Sequence, residues 1–394
     1  MQDGYQRPAA HDNVGETVSG PWRIFVINPG STSTKVSLFE GGACVLDTDV
    51  FHDSAMLRGL GTINDQLDYR MGVLWDFLRE NGVDLTGVDA VMGRGGGCYP
   101  VPGGIYAIDD RLVEDTRACK GGLYHASMLG VQMARRVQER FGGLALMTNP
   151  PVVDELCDEA RVTGVRGVYR KAVSHALNLK AVARRHCDEQ GIRYEDHNFV
   201  VAHIDGGISV TAHRRGRMVD GNDAGGGEGP FTPTRMGSMA VTDVLDHLWG
   251  LPAEDVRGLC SQAGGFSSWF GTSSSDAVHA LVEEGDPTAR RVWTAMIYQT
   301  CKWIAAMAGA LGGQVDAILL TGGLLRFDDV ADGVRDRCGW IAPVFCYPGE
   351  LEQQAMAQAA CDVLSGKEQA LVYPGRPVWE GFAEIGRASC RERV

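Results

Sequence analysis

An α/β fold made of two similar halves is what the sequence predicts, on three observations. Short apolar, β-branched runs alternate with amphipathic helical stretches, one strand–turn–strand pattern occurs twice, and both turns are built from glycine and small polar residues. The first hairpin reads as a strand at 23–28, the turn Pro29-Gly30-Ser31-Thr32-Ser33, and a strand at 34–39 closed by Glu40-Gly41-Gly42. The second reads as a strand at 199–204, the turn Asp205-Gly206-Gly207, and a strand at 209–213 closed by Arg214-Arg215-Gly216-Arg217. Two such hairpins, each opening one half of a chain, point to a duplicated unit. Helical spacing marks 65–80, where Leu67, Met71, Leu74 and Leu78 share a face, and also 128–140, 171–190 and 350–364. A further apolar strand at 317–320 runs into Thr321-Gly322-Gly323.

Length and composition bound the answer. At 394 residues the natural prior is two domains, and 44% hydrophobic with 22% charged residues is ordinary for a globular protein. A formal net charge of −13 argues against nucleic acid as a partner, because such binding needs basic surface. An anionic small molecule stays possible, since a local cluster of arginines holds one inside an acidic protein. The 11 cysteines form no C-x-x-C pair, so buried thiols in a reducing cytoplasm are expected, with no disulfide scaffold or zinc site. No apolar run reaches the roughly 18 residues of a membrane span. Residues 1–21 are expected to be a disordered leader, and 383–394 a tail without functional weight.

Three loops are candidates for holding phosphate, because glycine and small hydroxyl residues let backbone amides approach an anion. They are Asn28-Pro29-Gly30-Ser31-Thr32-Ser33-Thr34-Lys35, Asp205-Gly206-Gly207-Ile208-Ser209 and Thr321-Gly322-Gly323. Each alone is an ordinary turn, and none fits the P-loop or Rossmann pattern. The set, with two members related by duplication, is more specific.

At these residues the chain resembles the butyrate kinases of the acetokinase family, within the wider superfamily of acetate and sugar kinases, Hsp70 and actin. The resemblance runs from about Ile24 to Phe382. Its segments are Asn28 to Lys35, Gly93-Arg94-Gly95-Gly96, Pro102-Gly103-Gly104, His125-Ala126-Ser127 and Asn149-Pro150-Pro151-Val152-Val153-Asp154-Glu155. His175-Ala176-Leu177-Asn178, Gly227-Glu228-Gly229-Pro230-Phe231 with Arg235, and Tyr347-Pro348-Gly349-Glu350 complete it. Ser174, Leu179 and Leu351 depart from the family's usual Phe, Gln and Asp.

The resemblance implies two duplicated actin-like (ribonuclease H-like) domains with the active site in the cleft between them. The first spans 22–155 and is completed by a C-terminal helix at 355–382; the second, at 156–354, binds nucleotide. It further implies a reversible transfer of phosphate from ATP to a short-chain carboxylate, giving an acyl phosphate and ADP, with Mg²⁺. Butyrate is the expected acceptor; branched-chain acids, propionate and acetate are alternatives, and a non-catalytic nucleotide-binding protein is a distant one. A cytoplasmic homodimer or larger homo-oligomer is expected.

Such chemistry asks for positive charge instead of a base. A carboxylate of pKa roughly 4–5 is already ionised at neutral pH, and the obstacle is an anion approaching a polyanion. By resemblance, Arg94 and Arg235 both neutralise the phosphoryl group and one of them pairs with the acceptor, His175 stabilises the phosphoryl group, and Asn28 contacts it or orients metal-bound water. Ser31, Ser33, Lys35, His203, Gly206, Gly207, Gly322 and Gly323 are assigned to ATP, and Glu350 with Asp154 to Mg²⁺. An acyl pocket is expected from Gly96, Tyr124, His125, Ser174 and Gly226, with the small residues at 96, 174 and 226 leaving room for several methylenes.

Overall fold

In the computed structural model, which describes residues 18–122 and 124–382, the chain forms two compact units, each around one sheet. The expected leader lies outside the described residues except for 18–21, and the tail at 383–394 lies wholly outside them.

The first unit takes the described part of Met1–Tyr99, Gly104–Pro150 and Glu352–Arg376. Its strands are β1 (Arg23–Pro29), β2 (Ser33–Glu40), β3 (Ala43–Phe51), β4 (Ala90–Gly93), β5 (Ile105–Ala107) and β6 (Leu144–Thr148), in the order β3-β2-β1-β4-β6-β5. The second takes Pro100–Gly103, Pro151–Leu351 and the described part of Pro377–Val394. Its strands are β7 (Asn198–Ile204), β8 (Ile208–Arg214), β9 (Arg217–Gly221), β10 (Ala317–Gly322) and β11 (Val344–Pro348), in the order β11-β10-β7-β8-β9.

The duplication is thus a shared topology. In each unit an antiparallel meander, β1-β2-β3 or β7-β8-β9, continues through the first strand into parallel partners, β4 and β6 or β10 and β11. Even the irregularities correspond: the register shifts at Leu38/Phe39 against β3 and at Ala212/His213 against β9. The third strand of each meander escaped the sequence reading. Ala43–Phe51 mixes Asp47, Thr48 and Asp49 into a largely half-exposed strand, so its apolar signal is weak.

The parallel strands are buried on both faces, which is why they read as unbroken apolar runs. Ile24, Phe25, Val26 and Ile27 have no exposure. In the second unit Val200, Ala202 and Ile204 pack into a core that includes Trp293, Met296, Ile297 and Ile304 of helix Pro287–Ala310. The alternate residues Phe199 and Val201 face Leu179, Val182 and Ala183 of helix Ala176–Gln190. Pro287 at the first helical turn and the Asp286 side chain accepting from Ala289 N, at 2.7 Å, set the start of the long helix. None of the helices is long and apolar enough to cross a membrane among the described residues.

Three boundaries differ from expectation. The helix foreseen at 171–190 begins only at Ala176, so His175 occupies its N-cap position instead of a helical face. The helix foreseen at 350–364 begins at Glu352. Trp379 and Phe382, expected with the first domain, group with the second unit, where both rings pack edge-on against Tyr169. The described cysteines are all free.

Helix Leu129–Phe141 meets β4 at Gly130 and Gly93. A Cβ on Gly130 would lie 2.3 Å from Arg94 O, so only glycine allows this approach. Gly130→Ala is therefore expected to destabilise the fold by about 1–3 kcal/mol through overpacking, read as a lower urea midpoint. An unchanged midpoint would show that the helix does not rest on the strand end.

Candidate functional site

The first unit gathers its chemistry at the carboxyl ends of β1 and β4, where open α/β sheets place ligands. Asn28 is the penultimate residue of β1. Arg94 directly follows β4, and its backbone N donates to Ile27 O at 2.9 Å. Glu352, the first residue of its helix, meets both side chains. Its Oε2 accepts from Asn28 Nδ2 at 2.8 Å and its Oε1 from Arg94 Nη2 at 2.9 Å. Arg94 and Glu352 are both buried. Arg94 Nη1 is buried as well and has no hydrogen-bond partner.

Glu352 was missed in the sequence because the Gly349-Glu350 motif drew the assignment two residues earlier. Glu350 stands in the turn ahead of the helix and its side chain is 47% exposed. Glu-x-Glu spacing cannot say which carboxylate turns inward; the helix start decides it.

The turn after β1 is closed by Gly30 N donating to Ser33 O at 2.8 Å. Ser31 and Thr32 are exposed. Lys35 does not add unbalanced charge to this loop as expected, because its Nζ lies 3.1 Å from Asp47 across β3. Ser33 Oγ donates to Asp49 at 2.9 Å. Beneath the turn lie Arg70 and His52, both buried. Burial, helped by the neighbouring Arg70 guanidinium, holds the His52 imidazole down to about 4.

The second unit places three sequence-predicted groups together, His175, His203 and Glu350. His203 is fully buried at the end of β7 and stacks on His175, with ring centroids 4.0 Å apart. His175 Nδ1 lies 2.8 Å from Ser209 Oγ on β8. Asn178 organises this region. Its Oδ1 accepts from Leu351 N at 2.9 Å, and its Nδ2 faces His203 Nδ1 at 2.9 Å and Thr321 Oγ1 at 3.1 Å. Since Leu351 N can only donate, Nδ2 is the atom that faces His203, and His203 Nδ1 is the acceptor. The imidazole proton then sits on Nε2, which is 3.6 Å from Glu350 Oε1.

Arg235 packs its guanidinium on Gly207, where a Cβ would come within 2.5 Å of Cζ. Its Nη1 donates to Ala224 O at 2.7 Å, while its Nε is buried without a partner. Burial lowers the pKa of this guanidinium, and the Asp223 carboxylate partly offsets the effect. Gly206 O accepts from Thr232 and Thr234 hydroxyls at 2.6 and 2.9 Å, tying the hairpin turn to the loop that carries Arg235. Gly322, at φ 109°, crosses so close to Ile204 O that a Cβ would lie 2.3 Å away. Gly323 N donates to Asp205 Oδ2 at 2.7 Å. The Asp205-Gly206-Gly207 and Thr321-Gly322-Gly323 turns therefore form one surface.

For a divalent cation, Asp205 and Glu350 offer carboxylate oxygens that lie within 4.8 Å of each other and of a His203 ring nitrogen; with its proton on Nε2, His203 is a donor beside them and not a ligand. Asp205 escaped assignment in the sequence, although its turn was singled out. Asp154 does not fit the cation role assigned to it. Its two oxygens each lie 2.7 Å from a guanidinium nitrogen of Arg161, and both residues are buried. A buried bidentate ion pair occupies the carboxylate.

The room expected for an acyl chain is also filled at two positions. A Cβ on Gly96 would stand 2.9 Å from Ser127 Oγ, and one on Gly226 2.4 Å from Asp223 Oδ2. These glycines serve close packing within their own units. Ser174 is buried and its N donates to Pro151 O at 3.0 Å. Tyr124 is 73% exposed, and His125 caps a short 3₁₀ turn with Nδ1 3.0 Å from Ser127 Oγ. Gly96, Tyr124 and His125 belong to the first unit, Ser174 and Gly226 to the second.

Residues 162–336 match the model of the acetokinase family, a segment that holds His175, His203, Arg235 and both glycine turns of the second unit. Among solved structures, the chain is similar to the Porphyromonas gingivalis acetate kinase at 18% identity and TM-score 0.68, over 87% of this chain and 100% of that one. A propionate kinase from Francisella tularensis subsp. tularensis matches at 17% identity and TM-score 0.66, over 86% and 98%. The Entamoeba histolytica acetate kinase matches at 14% identity and TM-score 0.68, over 85% and 98%. At these identities the likeness is one of fold.

Two outcomes follow from the electrostatics. Asp154→Asn leaves Arg161 buried without its counter-charge and is expected to cost about 3–5 kcal/mol in urea unfolding. It should leave any dependence on Mg²⁺ concentration unchanged; a raised Mg²⁺ requirement would restore the cation role. For His52 the folded state binds its proton well below the ordinary value of 6.5, so the unfolded chain is the better proton acceptor from there down to about 4. The contribution is full above 6.5 and lost as pH falls through that window. His52→Gln should therefore flatten the decline in urea midpoint from pH 7 to pH 4, and equal slopes would count against a neutral buried imidazole.

Proposed function

We propose that the chain is an ATP-dependent carboxylate kinase, transferring the terminal phosphoryl group of ATP to a short-chain carboxylate. One observation carries this reading. Three guanidinium nitrogens are buried without an internal acceptor among the described residues; Arg161 Nε belongs to the ion pair with Asp154, while Arg94 Nη1 and Arg235 Nε lie at strand-end loops, one in each unit. A buried N–H without an acceptor costs about 1–3 kcal/mol, and an anion removes that cost. Two such donors at the strand-end loops suit a reaction limited by charge instead of proton removal. The acetokinase match supports the same reaction class.

The residues then divide by role. Arg94 and Arg235 neutralise charge as the carboxylate oxygen attacks phosphorus and the bond to the ADP oxygen breaks. Glu352 fixes Arg94 and Asn28 in place, which makes it a positioning residue. His175 stabilises the phosphoryl oxygens, its ring oriented by Ser209 and by stacking on His203. The joined glycine turns of the second unit hold the nucleotide, and Ser31 and Ser33 the phosphoryl end. Glu350 and Asp205 are the carboxylates that fit Mg²⁺, which takes only one or two of them and keeps its waters. When bound, Mg²⁺ supplies charge neutralisation on the nucleotide phosphates.

Butyrate is the proposed acceptor, on the strength of the ordered motifs along the chain; free volume at Gly96 and Gly226 does not support it. ATP, Mg²⁺ and a panel of acetate, propionate, butyrate, isobutyrate and isovalerate, with hydroxylamine trapping of acyl phosphate, tests both levels. Highest kcat/KM is expected on a four- or five-carbon acid. Higher kcat/KM on acetate would sink the butyrate assignment, and no trapped product on any acid would sink the carboxylate kinase. Arg235→Ala and Glu352→Gln are expected to lower kcat by at least about 100-fold with the fold retained.

A further inference from the structure

Arg70 is a buried cation that the chemistry above does not use. It projects from helix Gln66–Glu80 with no exposure, directly beneath the Gly30–Thr34 turn. Its Nη2 donates to Ser31 O at 3.0 Å, and its Nη1 to Ser33 O at 3.2 Å and Thr34 Oγ1 at 3.4 Å. Its Nε donates to Gln66 Oε1 at 3.1 Å. No carboxylate pairs with it among the described residues; every acceptor is neutral. Burial lowers its pKa to about 10, with the neighbouring Tyr69 partly offsetting the effect. Burying an unpaired charge costs several kcal/mol, so its retention in this position asks for a purpose.

The turn's backbone supplies one. Arg70 holds two of its carbonyls, Ser31 O and Ser33 O, the latter shared with Gly30 N, while Thr32 O is taken at 2.9 Å by His52 N, just past the neighbouring strand β3. In a planar trans peptide the N–H points opposite to the C=O it adjoins. Fixing Ser31 O on the guanidinium therefore turns the Thr32 amide away from it, at the stretch where Ser31 and Thr32 are exposed. A backbone amide held in that direction is a donor for an anion. The guanidinium behind it adds a fixed positive charge on the same axis, screened from water by the turn itself.

We propose that Arg70 is a positioning residue for phosphate: it pins the Ser31 and Ser33 carbonyls so that the turn keeps its shape and presents the Thr32 amide to the phosphoryl group being transferred. The inference rests on the carboxylate kinase reading only for the identity of that anion. Arg70 touches no substrate; it acts through the backbone of Ser31 to Thr34 and through its charge. A role confined to stability would instead weaken all ligands together.

The test uses the full chain in the acyl phosphate to ATP direction, where one substrate carries the transferable phosphoryl group and the other does not. Arg70→Met is expected to raise KM for butanoyl phosphate about tenfold and lower kcat about 100-fold, leaving KM for ADP within about twofold. Arg70→Lys, which keeps the charge but loses the fork, should fall between Arg70→Met and the parent protein. Unchanged constants in a folded Arg70→Met, or ADP and acyl phosphate constants worsening in step, overturn the proposal. If Arg70→Met does not fold, Arg70→Lys and Gln66→Leu are read alone. Each should show the same split at about threefold, and parity with the parent overturns the proposal. A parent protein without activity on any carboxylate is the separate failure of the kinase reading.

Discussion

Buried positive charge is the constraint on which the rest of this structure depends. Arg94 and Arg70 are sealed into the first unit and Arg235 is half-buried in the second. Each needs acceptors to be tolerated at all. Arg94 receives Glu352, Arg235 receives a backbone carbonyl with Asp223 near by, and Arg70 receives only carbonyls, a hydroxyl and an amide oxygen. None is compensated in full, and both Arg94 and Arg235 keep a buried N–H in reserve. A net-acidic chain has thus kept cations where water cannot screen them, which is where they act most strongly on a phosphoryl group.

The duplicated sheets carry different chemistry at equivalent places. The end of β1 holds Asn28, an amide bonded to a carboxylate; the end of β7 holds His203, an imidazole bonded to an amide. In each unit a helix sets the polar group that governs the strand ends, Glu352 in one and Asn178 in the other. One topology thus yields a charge-bearing surface and a hydrogen-bonding surface. The difference comes from a few residues at strand ends, while the apolar runs behind them stay alike. His175 shows the same economy: because its helix starts one residue later, its backbone is freed from the helical path and its ring is left to Ser209 and His203.

What the sequence by itself determined was what periodicity and local backbone chemistry encode. Apolar runs such as 24–27 and 199–204, bounded by Gly/Ser turns and followed by a second β-branched run, read as buried strands of hairpins, and they are. Asn28, Arg94, His175, His203 and Arg235 were marked by the resemblance to the acetokinase family, since local pattern alone singles out only the glycine-rich turns. What only the tertiary structure decided was the partner of each charge. Whether Asp154 faces a cation or Arg161, whether Glu350 or Glu352 reaches Arg94, and whether Lys35 is available or held by Asp47 depend on contacts across the sheet or along distant chain. The glycines at 96 and 226 make the point most simply: a missing side chain in the sequence is equally an open space and a close contact, and only the neighbouring atoms tell which. Arg70 was invisible for the complementary reason. On a helical pattern it is one more polar residue, and its meaning lies in carbonyls contributed by a turn far back in the chain.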